Sequence, residues 1–255
     1  AAAMMAAYRQ GATDEAERLA VYCEEHSLRG TYSWFFYRQR TLIMALRSMK
    51  STVAHSMYEE VIGNPGFKEM DERSRAVWSV LGIYVQVLGM SSTDPVVVRE
   101  ANESIELEYQ EIERLNDQLQ QGNVLKKDIQ GLKVAAVVAR VIAMFMRGDY
   151  DGMVRRDESL QTLRRKRLRA LHRGLDVFLR CIHAMVESNF QFAECQRRTQ
   201  RLSAELRARD TQRKSDNEML EILPFDRLWE VMMRMLRERQ EAGSAHNSGT
   251  APLRK

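Results

Sequence analysis

The sequence predicts an all-α protein: helical hairpins that can stack as a short repeat array, followed by long amphipathic helices that are partly coiled coil. Three observations carry this. Only four prolines and thirteen glycines occur in 255 residues, while Ala, Leu, Met, Glu, Arg and Gln abound, side chains that lose little rotamer freedom in a helix. Apolar residues recur at spacings of three and four, and no stretch alternates apolar and polar with the period of two that a half-buried strand needs. Apolar residues make up 44% and charged residues 29% of the chain, a balance that fits neither a disordered nor a membrane-embedded chain. The length suffices for a sizeable core.

The elements follow in order. AAMMAAYRQ opens a hairpin, Gly11 breaks it, and Thr13 is expected to cap a second helix, DEAERLAVYCEEH, whose first-turn Asp14 and Glu15 suit the helix dipole. A third helix starts near Thr31, with a continuation expected as far as Ile62, where Gly63–Gly66 (GNPG) stops it. Asp71 caps ERSRAVWSVLGIYVQVLGM. Asp94 and Pro95 then start a helix reaching about Gln121, with Ile105, Tyr109, Ile112, Leu115 and Leu119 on one face. Between Asp94 and Gln121 eight acidic residues stand against Arg99 and Arg114, a formal −6. The apolar run Val134–Met146 is interrupted by Arg140 and falls short of the roughly 20 residues a bilayer demands, so it is expected as a buried core helix.

After Arg147 and Gly148 a long helical run extends from Met153 to roughly Asp210, its continuity open. From Arg155 to Lys214 it holds sixteen Lys or Arg and seven Asp or Glu, a formal +9. A last amphipathic helix follows Pro224, with Phe225, Leu228, Trp229, Met232, Met235 and Leu236 on one face. Three regions are therefore expected: hairpins over 1–93, long helices over 94–241, and a disordered tail over 242–255.

Residues 4–30, MMAAYRQGATDEAERLAVYCEEHSLRG, resemble one unit of the tetratricopeptide and pentatricopeptide class of helical repeats. The matching positions are Tyr8, Gly11 at the turn, Glu15, Ala16 and Leu19. Ala20 and Cys23 stand where pentatricopeptide units more often carry larger apolar residues, and no clean second copy follows at a period of 34 or 35. The resemblance implies two stacked antiparallel helices and a scaffold role. An ordinary helical hairpin accounts for the same residues.

The stretch Leu163–Met185 carries two patterns at once. Leu168, Leu175 and Ile182 are seven apart, as are Leu171, Phe178 and Met185, a heptad seam that needs an apolar partner helix. Around it Arg155, Arg156, Arg164, Arg165, Lys166, Arg167, Arg169 and Arg173 form a basic run suited to RNA phosphate, which such side chains bind without sequence preference. The competing destinations are a row of glutamates, such as those of the acidic helix, and plain solvent around an exposed helix face.

Chemistry of other kinds finds no anchor. The sequence lacks GxxxxGK, GxGxxG, HExxH and GxSxG. Cys23, Cys181 and Cys195 have no CxxC spacing, so neither a disulfide framework nor a zinc site is expected. Glu24, Glu25 and His26 are adjacent and point in different directions, and His183 with Glu187 reads as a helical pair. No catalytic residue, metal or cofactor is expected. The fifteen methionines and the run Trp34–Tyr37 read first as core, with part of the aromatic run free to meet a partner chain or an RNA base.

The expectation is a non-catalytic structural subunit of a large assembly, an organellar (mitochondrial) ribosome or other RNA-containing particle, with other protein subunits and RNA phosphate backbone as partners and no transmembrane segment. The alternative is a purely protein-binding scaffold or accessory subunit of a membrane or cytoskeletal complex. The chain opens on Ala1, as a cleaved targeting peptide or an unseen start would both give. With net charge +4 and pI near 9.0, the mitochondrial matrix is expected, otherwise the cytoplasm.

Overall fold

A computed structural model describes residues 2–10, 12–90, 109–110, 127–165, 173–209 and 221–248. Among them every regular element is helical, with no strand, and no helix is long and apolar enough to cross a membrane. The chain divides into two compact units, Ala1–Arg147 with Lys214–Leu223, and Gly148–Arg213 with Pro224–Lys255.

The first unit holds α1 (Ala2–Arg9), α2 (Thr13–His26), α3 (Tyr32–Arg47), α4 (Ser51–Ile62), α5 (Pro65–Glu69), α6 (Glu72–Gly89) and α7 (Lys127–Arg147). Helix α1 packs on α2 and α3 on α4, the short loops making each pair a hairpin. Met4 and Tyr37 form a buried pair flanked by Leu19, Ala20, Cys23 and Met44, which ties α1, α2 and α3 together. Of the positions carrying the repeat resemblance, Ala16 is buried and Leu19 half-buried. Gly11 and the Tyr8 side chain lie outside the described residues.

Two boundaries differ from the sequence reading. Thr13 is itself the first helical residue of α2, with Ala12 in the cap position and no side-chain cap. The continuous helix expected from Thr31 to Ile62 is two helices, because Met49 takes a left-handed φ of 56° and Ser48–Lys50 turn the chain back. No glycine, proline or asparagine marks that turn. The other ends follow local chemistry. Thr31 and Asp71 accept the N–H of Trp34 and Ser74, and Asn64 accepts that of Gly66 ahead of Pro65. Gly30 has a φ of +83°, and a Cβ there would sit 3.2 Å from Oδ1 of Asn64, so the α2–α3 turn and the α4–α5 turn meet at a point only glycine tolerates.

Helix α6 is buried nearly all round, Trp78, Leu81, Ile83, Tyr84 and Val85 included, and the segment 134–146 in α7 is buried apart from Val137 and Arg140. Within α6 the amide of Gln86 is fully buried, and neither its Nε2 nor its Oε1 has a hydrogen-bond partner. An orphaned buried polar group carries its full desolvation cost, about 1–3 kcal/mol. Gln86→Met, which keeps length and flexibility, is therefore expected to raise the urea midpoint and Tm of the first unit. A lowered midpoint would show that the amide is satisfied.

The second unit holds α8 (Tyr150–Leu163), α9 (Arg173–Glu187), α10 (Phe192–Arg209) and α11 (Phe225–Ser248). Gly148, at φ +73°, ends α7, and Asp149 caps α8 by accepting the N–H of Gly152. The basic run is not one helix. Asn189 (φ 50°) and Phe190 (φ 57°) interrupt it between α9 and α10. Asparagine tolerates that conformation. Phe190 is held in it by stacking on Tyr150, with centroids 4.2 Å apart, and by donating its N–H to the Met185 carbonyl. Gln240 of α11 accepts the N–H of Phe192 and donates to the carbonyl of Phe190, so the last helix caps the start of α10. Helix α9 packs against α8, α10 and α11.

Candidate functional site

The seam residues of α9 face inward. Leu175, Phe178, Ile182 and Met185 are each fully buried, and Phe178 stacks on Phe225 with centroids 5.2 Å apart. Burial spreads beyond a heptad seam to Val177, Leu179 and Cys181, as a helix with three helical neighbours requires. The apolar partner of this helix is thus supplied within its own unit. Leu168 and Leu171 lie outside the described residues.

The cations divide. Arg155 and Arg165 are exposed and Arg156 is half-buried. Arg164, just past α8, donates from Nε to Oε1 of Gln161 at 2.9 Å and pairs with Oδ1 of Asp176 at 3.4 Å. Asp176 sits buried in the first turn of α9, where the helix dipole also favours its charge. Arg173 pairs with Glu205 of α10 at 3.1 Å while 68% of its side chain stays exposed. Two of the arginines therefore find carboxylates inside the unit, and neither carboxylate belongs to the acidic stretch 94–121. That stretch, apart from 109–110, and Lys166, Arg167 and Arg169 lie outside the described residues.

A second basic surface lies on α10 and α11. Arg197 and Arg198 both bind the Glu194 carboxylate, at 2.7 and 2.6 Å, and hold it well below the usual carboxylate range, at about 2. Arg207 and Arg227 share Glu230, at 3.4 and 3.1 Å. Between the two helices runs a groove of about 390 Å³. One wall is Phe192, Gln196, Thr199, Gln200, Ser203 and Arg207 of α10, and the other is Trp229, Glu230, Met233, Arg234 and Arg237 of α11. These positions recur at three and four, so each wall is one helix face. The indole N–H of Trp229 donates to Oγ of Ser203 at 3.0 Å, and the Cys195 thiol meets the Met233 sulfur at 3.6 Å, which joins the two walls. Sequence reading counted these arginines only within a net charge. The available signal was the Arg234–Arg237 spacing beside Met233, but its meaning depends on which face α10 covers.

Burial pushes the Cys195 thiol up to about 11, against hydrogen bonds from Ser188 and Thr199 that pull it down, and burial raises Cys181 further. Neither thiol is a thiolate near neutral pH. His183 bridges Asp157 at 2.7 Å and Glu187 at 3.5 Å, and Glu187 continues to Arg198 at 3.3 Å. These contacts link side chains of α8, α9 and α10. Among the described residues no group of three or more His, Cys, Asp or Glu could hold a metal.

In the first unit Glu24 is engaged by Arg38, and His26 stacks on Tyr22 with centroids 4.0 Å apart. Trp34, Phe35 and Tyr37 are core residues, and Phe36 alone of that run is exposed, with Arg40 over its ring.

Comparison of the chain with family models, with curated proteins and with solved structures finds no match.

Proposed function

We propose that the protein is a non-catalytic structural subunit of a large RNA-containing assembly, of the kind a mitochondrial ribosome represents, in which the second unit lays arginines on RNA phosphate and the hairpins of the first meet neighbouring proteins as a short repeat-like scaffold. The observation that carries this is the set of exposed guanidiniums on α10 and α11 whose carboxylate partners are themselves at least a third exposed. Arg197 is 72% exposed, Arg207 63% and Arg237 53%, against Glu194 at 34%, Glu230 at 40% and Glu241 at 69%. Exposed ion pairs of this kind are screened by water and contribute little, so a phosphate can displace the carboxylate. Arg155, Arg165 and Arg201 add exposed charge to the same unit. A matrix location agrees with the basic balance.

The purified chain is expected to retain structured RNA on a filter at about 50 mM salt and to lose it steeply as salt rises. Changing Arg155, Arg165 and Arg201 to Gln should lower the log–log salt slope by roughly 0.7–0.9 for each contact removed. Arg164→Gln should leave the slope unchanged, because that guanidinium serves Gln161 and Asp176. A purely protein-binding scaffold is the second reading, favoured by the intramolecular capture of Arg164 and Arg173 by carboxylates. A chain that ignores RNA at low salt yet co-purifies with protein subunits would establish it.

A further inference from the structure

We infer that the groove between α10 and α11 is a docking site for an acidic amphipathic helix of a partner protein. This goes beyond RNA contact, because it names a different class of partner for a groove that shares only Arg207 and Arg237 with the RNA-facing guanidiniums. Length comes first. The α10 wall extends from Phe192 to Arg207, roughly 22 Å at about 1.5 Å per residue, the length of a helix of about four turns. Two helices side by side leave a trough into which a third fits by ridge-and-groove packing. The small side chains of Thr199 and Ser203 keep one wall low, and Met233 supplies an adaptable apolar base beside Phe192.

Charge fixes the kind of helix. Glu230 is already met by Arg207 and Arg227, so the rim is net positive. Arg234 reaches Glu238 only from Nε, at 4.0 Å, and its NH2 has no hydrogen-bond partner. Buried donors without partners are rare in native structures. A carboxylate seated beside Arg234 supplies the missing acceptor after a turn of the half-exposed guanidinium, and Arg237 offers a second contact one turn on. The occupant is therefore a helix with apolar anchors three and four residues apart and glutamates or aspartates flanking them.

RNA fits this groove less well. Trp229 is 3% exposed and its N–H is spent on Ser203, so the indole offers no plate for base stacking. Phosphate would also leave the base of Phe192 and Met233 wet.

The test uses the full chain and a fluorescein-labelled 15-residue peptide, Leu at positions three and four apart and Glu between them, read by polarisation. Binding is expected to fall about tenfold with R234Q/R237Q and to vanish with a scrambled peptide of the same composition. The two arginines are solvent-accessible, and an unchanged circular dichroism spectrum shows that the double variant folds. Arg155→Gln should leave peptide affinity unchanged. Equal binding of the scrambled peptide, or unchanged affinity in R234Q/R237Q, would overturn the inference. So would displacement of the peptide by a short single-stranded RNA at lower concentration than by unlabelled peptide, which would make the groove a nucleic-acid site. A concentration-dependent dimer lost in R234Q/R237Q would make the occupant a second copy of this chain and would equally overturn it. Loss of RNA retention on the filter leaves these outcomes unaffected, so the two proposals fail separately.

Discussion

Phe178→Ala is expected to destabilise the second unit by about 3–5 kcal/mol, the range for emptying a buried aromatic site. Phe178 is fully buried on α9, the helix that packs on α8, α10 and α11, and its ring stacks on Phe225 at the start of α11 with an interplanar angle of 25°. Removing it opens a cavity and breaks a ring pair worth about 0.5–1.5 kcal/mol beyond area burial. Urea unfolding followed by circular dichroism and by the fluorescence of Trp229, the tryptophan of this unit, should show the lower midpoint with an unchanged slope. Phe178→Leu, which refills most of the space, should cost less than half as much. A shift under about 1 kcal/mol for the alanine variant would mean that the site collapses without loss, and that α9 does not organise its unit.

Replacing Arg38 should have the second largest effect. Its side chain is only 9% exposed, donates to Oε1 of Glu24 and Oε2 of Glu60, each at 2.8 Å, and lies within 5.7 Å of the Trp34 and Tyr37 ring centroids. One guanidinium thus ties α2, α3 and α4. Removing one partner of a buried pair costs about 3–5 kcal/mol. Glu24 is 53% exposed and is partly rescued by water, so about 2–4 kcal/mol is expected for Arg38→Met. Arg38→Lys should recover little, because an ammonium cannot serve two carboxylates and two ring faces together. A thermal melt of both variants checks the order.

Tyr37 gives a second readout. Burial, and next the nearby Glu24 charge, push its hydroxyl up to about 12 from 10.0, while Arg38 pulls it down. The folded state holds the neutral phenol more tightly than the unfolded chain does. That contribution is complete below about pH 10 and is lost as pH rises toward 12. Without Arg38 the phenol should ionise at still higher pH in an ultraviolet titration.

Much of the fold could be read in the sequence because its determinants are local. Asp71 caps the helix that follows it by accepting an N–H three residues on, Gly148 ends one by its own φ, and the spacing of Leu175, Phe178, Ile182 and Met185 marks an inward face whatever that face meets. The Met49 and Asn189–Phe190 breaks were not readable in this way. Phe190 adopts its conformation because Tyr150, forty residues earlier, stacks on it, and no local propensity encodes that.

Charge divides along the same line. The sequence by itself determined how many arginines the chain carries and on which helix each falls. Only the tertiary structure decided which of them are spent: Arg38 on glutamates of two other helices, Arg164 on Asp176, Arg173 on Glu205 thirty-two residues away. It also decided that α10 and α11 enclose a groove with Arg234 at its rim. The physical reason is range. Helix formation and capping are settled within a few residues along the chain, whereas a guanidinium finds its carboxylate, and a groove its second wall, only when packing brings distant segments to within a few ångströms.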